Sequence, residues 1–110
     1  MTIDKSQIAK ATLRNYHALI ERTYKGDIDA IIALVDLESA ILRAGLTDKQ
    51  SEAIRLIYVD DLAQKDACQR MGIERSALTE HLRLALDSIE AIYEYDAWQD
   101  GEIIEAEASA

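Results

Sequence analysis

The chain contains no proline in its 110 residues and only four glycines. These two residue types are the ones that most strongly disfavour the interior of a helix. Phenylalanine is also absent, whereas alanine, leucine, isoleucine and the acidic residues are abundant. The sequence therefore predicts an all-α fold of about five helices separated by short turns.

Apolar residues at helical spacing, and turn-forming residues between them, set the bounds of these helices. Gly26 and Gly45 lie where two helices end, because glycine permits a left-handed turn there. Asp27 is placed to cap the second helix, and Thr47 forms with Gln50 the capping box that opens the third. The predicted helices span about residues 4–24, 27–44, 47–59, 63–70 and 74–98.

The second predicted helix is apolar on more than one side. A helix that packs against a single neighbour needs only one apolar stripe, so we expect this one to contact two neighbours. Our hypothesis is that one of them is a second subunit, which would make the chain a homodimer; the alternative is that all of these residues lie in the core. The residues concerned are Ile28, Ile31, Ile32, Leu34, Val35, Leu37, Ile41 and Leu42.

Charge is distributed unevenly along the chain. Residues 1–25 carry five bases against two acids, residues 26–83 carry seven bases against eleven acids, and residues 84–110 carry eight acids and no base, for a net charge of −9. A polarised chain of this kind has a basic front and an acidic tail. Three hypotheses remain for the tail: it solubilises the chain, it competes with DNA for the basic front, or it docks on a basic partner such as RNA polymerase.

Several classes of protein are disfavoured by what the sequence lacks. The single cysteine, Cys68, excludes an internal disulfide, and His17 and His81 are too isolated to predict a metal site or a bound cofactor. No apolar run reaches the roughly 18 to 20 residues of a membrane span, and the N-terminus lacks the apolar segment of a signal peptide. Motifs for nucleophilic, phosphate-binding or metal-dependent catalysis are missing. We therefore expect a cytoplasmic protein that is not an enzyme.

Residues 62–79 form the most informative motif of the chain. Gln64, Cys68 and Gly72 fall four residues apart, which predicts a helix that ends at a glycine turn before a second helix begins. We expect Cys68 to be the small residue that lets the two helices cross closely. A miniature core beneath them is predicted to contain Ala67, Met71, Ile73 and Leu78. This is the pattern of a helix-turn-helix, whose second helix enters the major groove of DNA.

With the segments on either side, the motif resembles region four of bacterial sigma factors. The resemblance covers about residues 46–90, from the segment LTDKQSEAIRLIY through the glycine turn to the segment LRLAL. Small phage regulators of the ArpU and RinA groups are similar. The resemblance implies a helix-turn-helix domain over residues 46–98 and a helical N-terminal extension over residues 1–45, which would form the dimer or partner surface. Composition marks residues 99–110 as an acidic tail. It also implies a small sequence-specific transcription regulator, encoded by a phage or another mobile element.

Positions within the motif imply which side chains would contact double-stranded DNA. The resemblance implies that the major groove would be faced by Arg75, Ser76, Thr79, Glu80 and Arg83, with Gln64 and Lys65 near a phosphate. Two positions depart from the family pattern. Glu74 lies where a serine or threonine would cap the second helix, and Ala63 lies where a threonine often caps the first.

The motif is also nearly neutral, since residues 62–90 carry four bases and five acids. Neutralisation of phosphates supplies most of the non-specific affinity for DNA, so a single copy should bind weakly. A homodimer would double the contacts. The basic N-terminal helix would add Lys5, Lys10, Arg14 and Lys25.

Two other functions remain open from the sequence. One is a DNA-recognition subunit similar to the small terminase proteins of phages, which combine a helix-turn-helix with an oligomerising helical region. The other is a helix-turn-helix that no longer binds DNA and instead binds RNA polymerase or another regulator.

Overall fold

The computed structural model describes residues 7–99, and these form six helices with no strand among them. A π-helical turn, Arg55–Val59, continues the fourth helix. The all-α prediction is confirmed. The helices are α1 (Ile8–Arg14), α2 (Tyr16–Tyr24), α3 (Ile28–Arg43), α4 (Asp48–Ile54), α5 (Gln64–Met71) and α6 (Arg75–Gln99).

The first predicted helix is divided into two pieces at Asn15. The backbone of Asn15 departs from helical geometry (φ −99°, ψ 14°), and its side-chain Nδ2 donates to the carbonyl of Ala11 at 3.0 Å. Asparagine side chains compete for backbone groups in this way and so weaken a helix interior. The break separates α1, which packs against α3 and α6, from α2, which packs mainly against α3.

The predicted helix caps are present. Asp27 accepts a hydrogen bond from the amide of Ala30 at 3.2 Å. At the start of α4 the Thr47 hydroxyl accepts from the amide of Gln50 at 3.1 Å, while the Gln50 side chain accepts from the amide of Thr47 at 3.2 Å. These bonds satisfy amides that have no partner inside the helix, and they fix where each helix begins.

Two apolar clusters hold the helices together. The larger combines residues of α1, α3, α4 and α6, so the predicted N-terminal extension and the helix-turn-helix region share one core. The smaller lies beneath α5 and the first turns of α6, and Leu82 packs against both clusters. The buried members are Ala9, Leu13, Leu37, Ala40, Ile54, Ala85 and Ile89 in the larger cluster and Ala53, Leu56, Ala67 and Leu78 in the smaller.

Glu90, on α6, is the one buried charged residue within residues 7–99, with 7% of its surface exposed. Its Oε1 accepts a hydrogen bond from the backbone amide of Lys10 at 3.1 Å, so a carboxylate from α6 caps the first turn of α1. Its Oε2 is buried without a partner. Burial raises the pKa of Glu90, although hydrogen bonds from the amides of α1 act in the opposite direction.

The raised pKa of Glu90 predicts a pH-dependent stability. The folded chain binds the proton of Glu90 more tightly than the unfolded chain does. The protonated carboxyl therefore favours folding at pH values below 4.5, its ordinary pKa. That contribution to stability is lost as the pH rises through the pKa of the folded chain. The variant Glu90→Gln keeps an acceptor for the Lys10 amide but has no charge. Between pH 4.5 and neutrality we expect the unsubstituted chain to lose stability relative to this variant.

Urea unfolding across this pH range measures the difference, and the exposed Glu38→Gln variant serves as the matched control. The control should follow the pH dependence of the unsubstituted chain. If the stability of the Glu90→Gln variant had the same pH dependence as that of the unsubstituted chain, Glu90 would not be the source of the proposed loss of stability.

Candidate nucleic-acid interface

The turn between α5 and α6 is built on a left-handed glycine, as the sequence predicts. Gly72 has φ 67° and ψ 38°, and the amide of the following residue, Ile73, donates to the carbonyl of Cys68 at 3.1 Å. This hydrogen bond closes the end of α5 and directs the chain into α6. The space around Gly72 is open, so the backbone conformation alone calls for glycine.

Packing beneath the turn differs in one detail from the prediction. The small residue buried completely between the helices is Ala67, which lies against Leu78 and Leu56. Cys68 is only partly buried and packs at the edge of this cluster. Ala67 thus has the close-packing role that was predicted for Cys68, while the predicted miniature core of Ala67, Met71, Ile73 and Leu78 is present.

All seven side chains predicted to contact DNA are exposed. A hydrogen bond between two of them links the start of α5 to the start of α6, since the Arg75 Nε donates to the Gln64 Oε1 at 2.8 Å. These two residues and Lys65 line a groove of about 970 Å³ that runs along the turn between α5 and α6. The predicted phosphate-contacting residues and the first predicted groove-contacting residue therefore lie together.

The remaining predicted side chains follow one face of α6. Ser76, Thr79, Glu80 and Arg83 recur at spacings of three and four residues, which places them above one another on successive turns. The Thr79 hydroxyl donates to the carbonyl of Arg75 at 3.0 Å, so only its acceptor lone pairs remain for a ligand. The face combines hydroxyls, a carboxylate and two guanidinium groups within the first three turns of α6.

Arg83 is held on this face by two acids. Its Nε and Nη2 donate to the two oxygens of Glu80 at 3.1 and 2.6 Å, and its Nη1 donates to Asp87 Oδ2 at 3.1 Å. The pairing raises the pKa of Arg83 and lowers the pKa of Glu80. Because one cation is shared between two carboxylates, this part of the face carries a net negative charge.

A second groove, of about 680 Å³, connects this face with the N-terminal helices. Thr79 and Arg83 line it from α6, and Lys10 lines it from α1. Of the basic residues predicted to extend a DNA footprint, Lys10 is thus brought next to the predicted face. Lys5 lies outside the described residues, as does the acidic tail from residue 100 onward.

Tyr58 and Asp87 also belong to the site but were not predicted. Tyr58 lies at the edge of the larger apolar cluster and lines the second groove, and burial raises the pKa of its hydroxyl. Asp87 could have been found from its position four residues after Arg83, the spacing at which opposite charges pair on a helix. The family pattern indicates which residues face a ligand, but it does not indicate which of them neutralise each other.

Comparison of the chain with family models, with curated proteins and with solved structures finds no match. Within residues 7–99 no helix is long and apolar enough to cross a membrane. The same part of the chain contains no group of three or more histidine, cysteine, aspartate or glutamate side chains that could hold a metal ion.

The glycine turn gives a direct test of this geometry. Replacement Gly72→Ala should lower the free energy of unfolding by about 1 to 2 kcal/mol, because a Cβ is disfavoured in left-handed backbone. Gly72→Asn should cost less, since asparagine adopts this conformation more readily. Chemical denaturation of the unsubstituted chain and of the two variants measures their order of stability. Equal stability of all three would contradict the left-handed turn.

Proposed function

We propose that the chain is a small sequence-specific DNA-binding regulator of transcription, which inserts the first half of α6 into the major groove and acts as a homodimer. The observation that supports this most directly is the exposed face of α6, presented beyond a left-handed glycine turn. A helix-turn-helix uses the N-terminal part of its second helix for contact with base edges. The proposal carries with it a cytoplasmic location in a bacterial host and an origin in a phage or another mobile element.

Each side chain of the face has a definite role in this proposal. Arg75 and Arg83 are suited to guanine or to phosphate, and Glu80 is suited to the amino group of cytosine. The hydroxyls of Ser76 and Thr79 are suited to either a base edge or a phosphate. Gln64 and Lys65, at the start of α5, would position the domain on the backbone.

The acids around Arg83 set the conditions for binding. For Arg83 to contact DNA, it must exchange its hydrogen bonds with Glu80 and Asp87 for bonds with the nucleic acid. Both carboxylates would then lie close to phosphates and repel them. We therefore expect weak non-specific binding and a strong dependence on the correct bases.

The same acids support a second candidate function, binding of a protein instead of DNA. A face on which one arginine is shared by two carboxylates has little net positive charge to offer phosphates. Such a face would suit a partner that presents paired charges of its own, such as RNA polymerase or another regulator. Failure to bind any duplex would favour this candidate.

The proposed function is tested by selection from a pool of random duplex DNA at low and at moderate salt, with the full-length chain. Enrichment of one sequence motif is the expected result, and a palindrome with half-sites one helical turn apart would indicate a dimer.

At the enriched site, Arg75→Ala should weaken the free energy of DNA binding by about 1 to 3 kcal/mol. The exposed Arg70→Ala is the matched control and should leave discrimination between bases unchanged. Recovery of no DNA at either salt would contradict the proposal.

The acids around Arg83 lead to a further prediction. Glu80→Gln should strengthen binding to non-specific duplex at low salt and steepen its salt dependence by up to about one unit, because Arg83 then has one carboxylate partner, Asp87, instead of two and exchanges it more readily for a phosphate. Glu94→Gln changes the net charge equally, about 20 Å farther along the same helix. Fluorescence anisotropy with a labelled duplex measures both variants. Equal effects would mean that net charge alone governs binding and that the start of α6 is not the DNA-binding face.

A further inference from the structure

The side of α3 that faces away from the core carries large apolar side chains. Val35 is 58% exposed and Leu42 is 77% exposed, and the partly polar pair Glu38 and Ser39 lies between them. Exposed apolar side chains that cluster on one surface indicate an interaction site. The sequence alternative in which all apolar residues of this helix lie in the core is therefore wrong for five of them. These five, called the outer stripe below, are Ile28, Ile31, Ile32, Val35 and Leu42.

An apolar groove of about 400 Å³ lies between α2 and α3, beside the outer stripe. Leu34, Ile41 and Leu42 line it from α3, while Tyr16 and Ile20 line it from α2. Because Leu42 belongs to both the groove and the outer stripe, the two form one apolar surface. The volume lies at the lower end of the range for ligand pockets, and it admits a large apolar side chain.

The charges that α3 places beside this surface are acidic. Helical spacing puts Asp29 and Asp36 along one flank of the outer stripe, and Glu38 lines the groove on the other flank. Within residues 7–99 these three acids form no ion pair. Arg43, the one base of α3, is already held by both carboxylate oxygens of Asp96, at 3.0 and 2.6 Å. Unpaired negative charge therefore lies on both sides of the apolar side chains.

These acids determine which kind of ligand the surface fits. Like charges would repel if the same surface of a second copy lay against it, and an anionic membrane would be repelled for the same reason. A ligand with an apolar stripe between basic side chains would match both the apolar residues and the charges.

A helix fits this surface better than an extended segment does. The backbone groups of α3 are hydrogen-bonded within the helix, so its surface offers side chains alone. An extended segment laid across it would leave amides and carbonyls without partners where water is excluded, whereas a helix satisfies its own. Recognition of a helix in an apolar groove uses anchors three and four residues apart. The 16 residues of α3 extend about 24 Å, which matches about four turns of a partner helix.

We propose that the outer stripe and the groove beside it bind an amphipathic helix of a partner protein. An apolar side chain of that helix enters the groove, and its basic side chains lie against Asp29, Asp36 and Glu38. None of the residues of the proposed DNA-binding face belongs to this surface. The surface is tested without DNA, so that either proposal can fail while the other stands.

The probe for the first test is a synthetic helical peptide of leucine and lysine, about as long as the 16 residues of α3, with its leucines on one face. A second peptide has glutamate in place of every lysine. Fluorescence anisotropy of each labelled peptide, titrated with the full-length chain, gives the dissociation constants. The lysine peptide should bind at least about tenfold more tightly, because only its charges complement the three acids. No binding of the lysine peptide, or equal affinity of the two peptides, would overturn the proposal.

Two pairs of variants separate binding at this surface from attraction by the net charge of the chain. Leu42→Gln should raise the dissociation constant of the lysine peptide about tenfold, since it removes an apolar contact. Leu84→Gln, the same replacement at an exposed leucine of α6, should leave it unchanged. Glu38→Gln should raise it about two- to fivefold, and Glu94→Gln, which changes the net charge equally, should have a smaller effect. Equal effects within both pairs would mean that the peptide binds elsewhere.

Circular dichroism should show the same helix content in all four variants, because each replaced side chain is exposed. Two further measurements identify other occupants of the surface. A dimer in sedimentation equilibrium that Leu42→Gln dissociates would assign the surface to a second copy. Binding to phosphatidylcholine vesicles that Leu42→Gln abolishes would assign it to a membrane. Either result would contradict binding of a partner helix.

Discussion

Burial of one face of α6 is the constraint on which the rest of this structure depends. Leu78 belongs to the small cluster beneath the glycine turn, while Ala85 and Ile89 belong to the large cluster shared with α1 and α3. One continuous helix therefore connects the predicted DNA-binding face with the N-terminal helices. The side chain of Glu90 also joins α1 to this helix, because it accepts a hydrogen bond from an amide in the first turn of α1.

The electrostatics of the proposed face follow from the same helix. Its exposed positions carry Glu80, Arg83 and Asp87 on successive turns. The two acids pair with Arg83 and so neutralise the positive charge that would otherwise attract phosphates. Exposed pairs of this kind contribute little to stability. Their main consequence is for a ligand, which has to offer Arg83 a better arrangement of acceptors than the two carboxylates do.

Much of the fold could be predicted because its signals are local. The capping box of Thr47 and the left-handed turn at Gly72 each depend on a few neighbouring residues, and both are present. The capping of α1 by Glu90 joins residues 80 positions apart, so no local pattern could indicate it. The break at Asn15 depends on a side chain that competes with the helix for one backbone carbonyl. The spacing of apolar residues, from which the helix was predicted, contains no information about this competition.

The central claim is that the start of α5 and the first half of α6 contact DNA. It is tested most directly by following the backbone amide resonances of the full-length chain during titration with duplex DNA. The account predicts that the largest shifts occur at Gln64, at Lys65 and between Arg75 and Arg83. Shifts confined to α3, or no shifts at low salt, would contradict it.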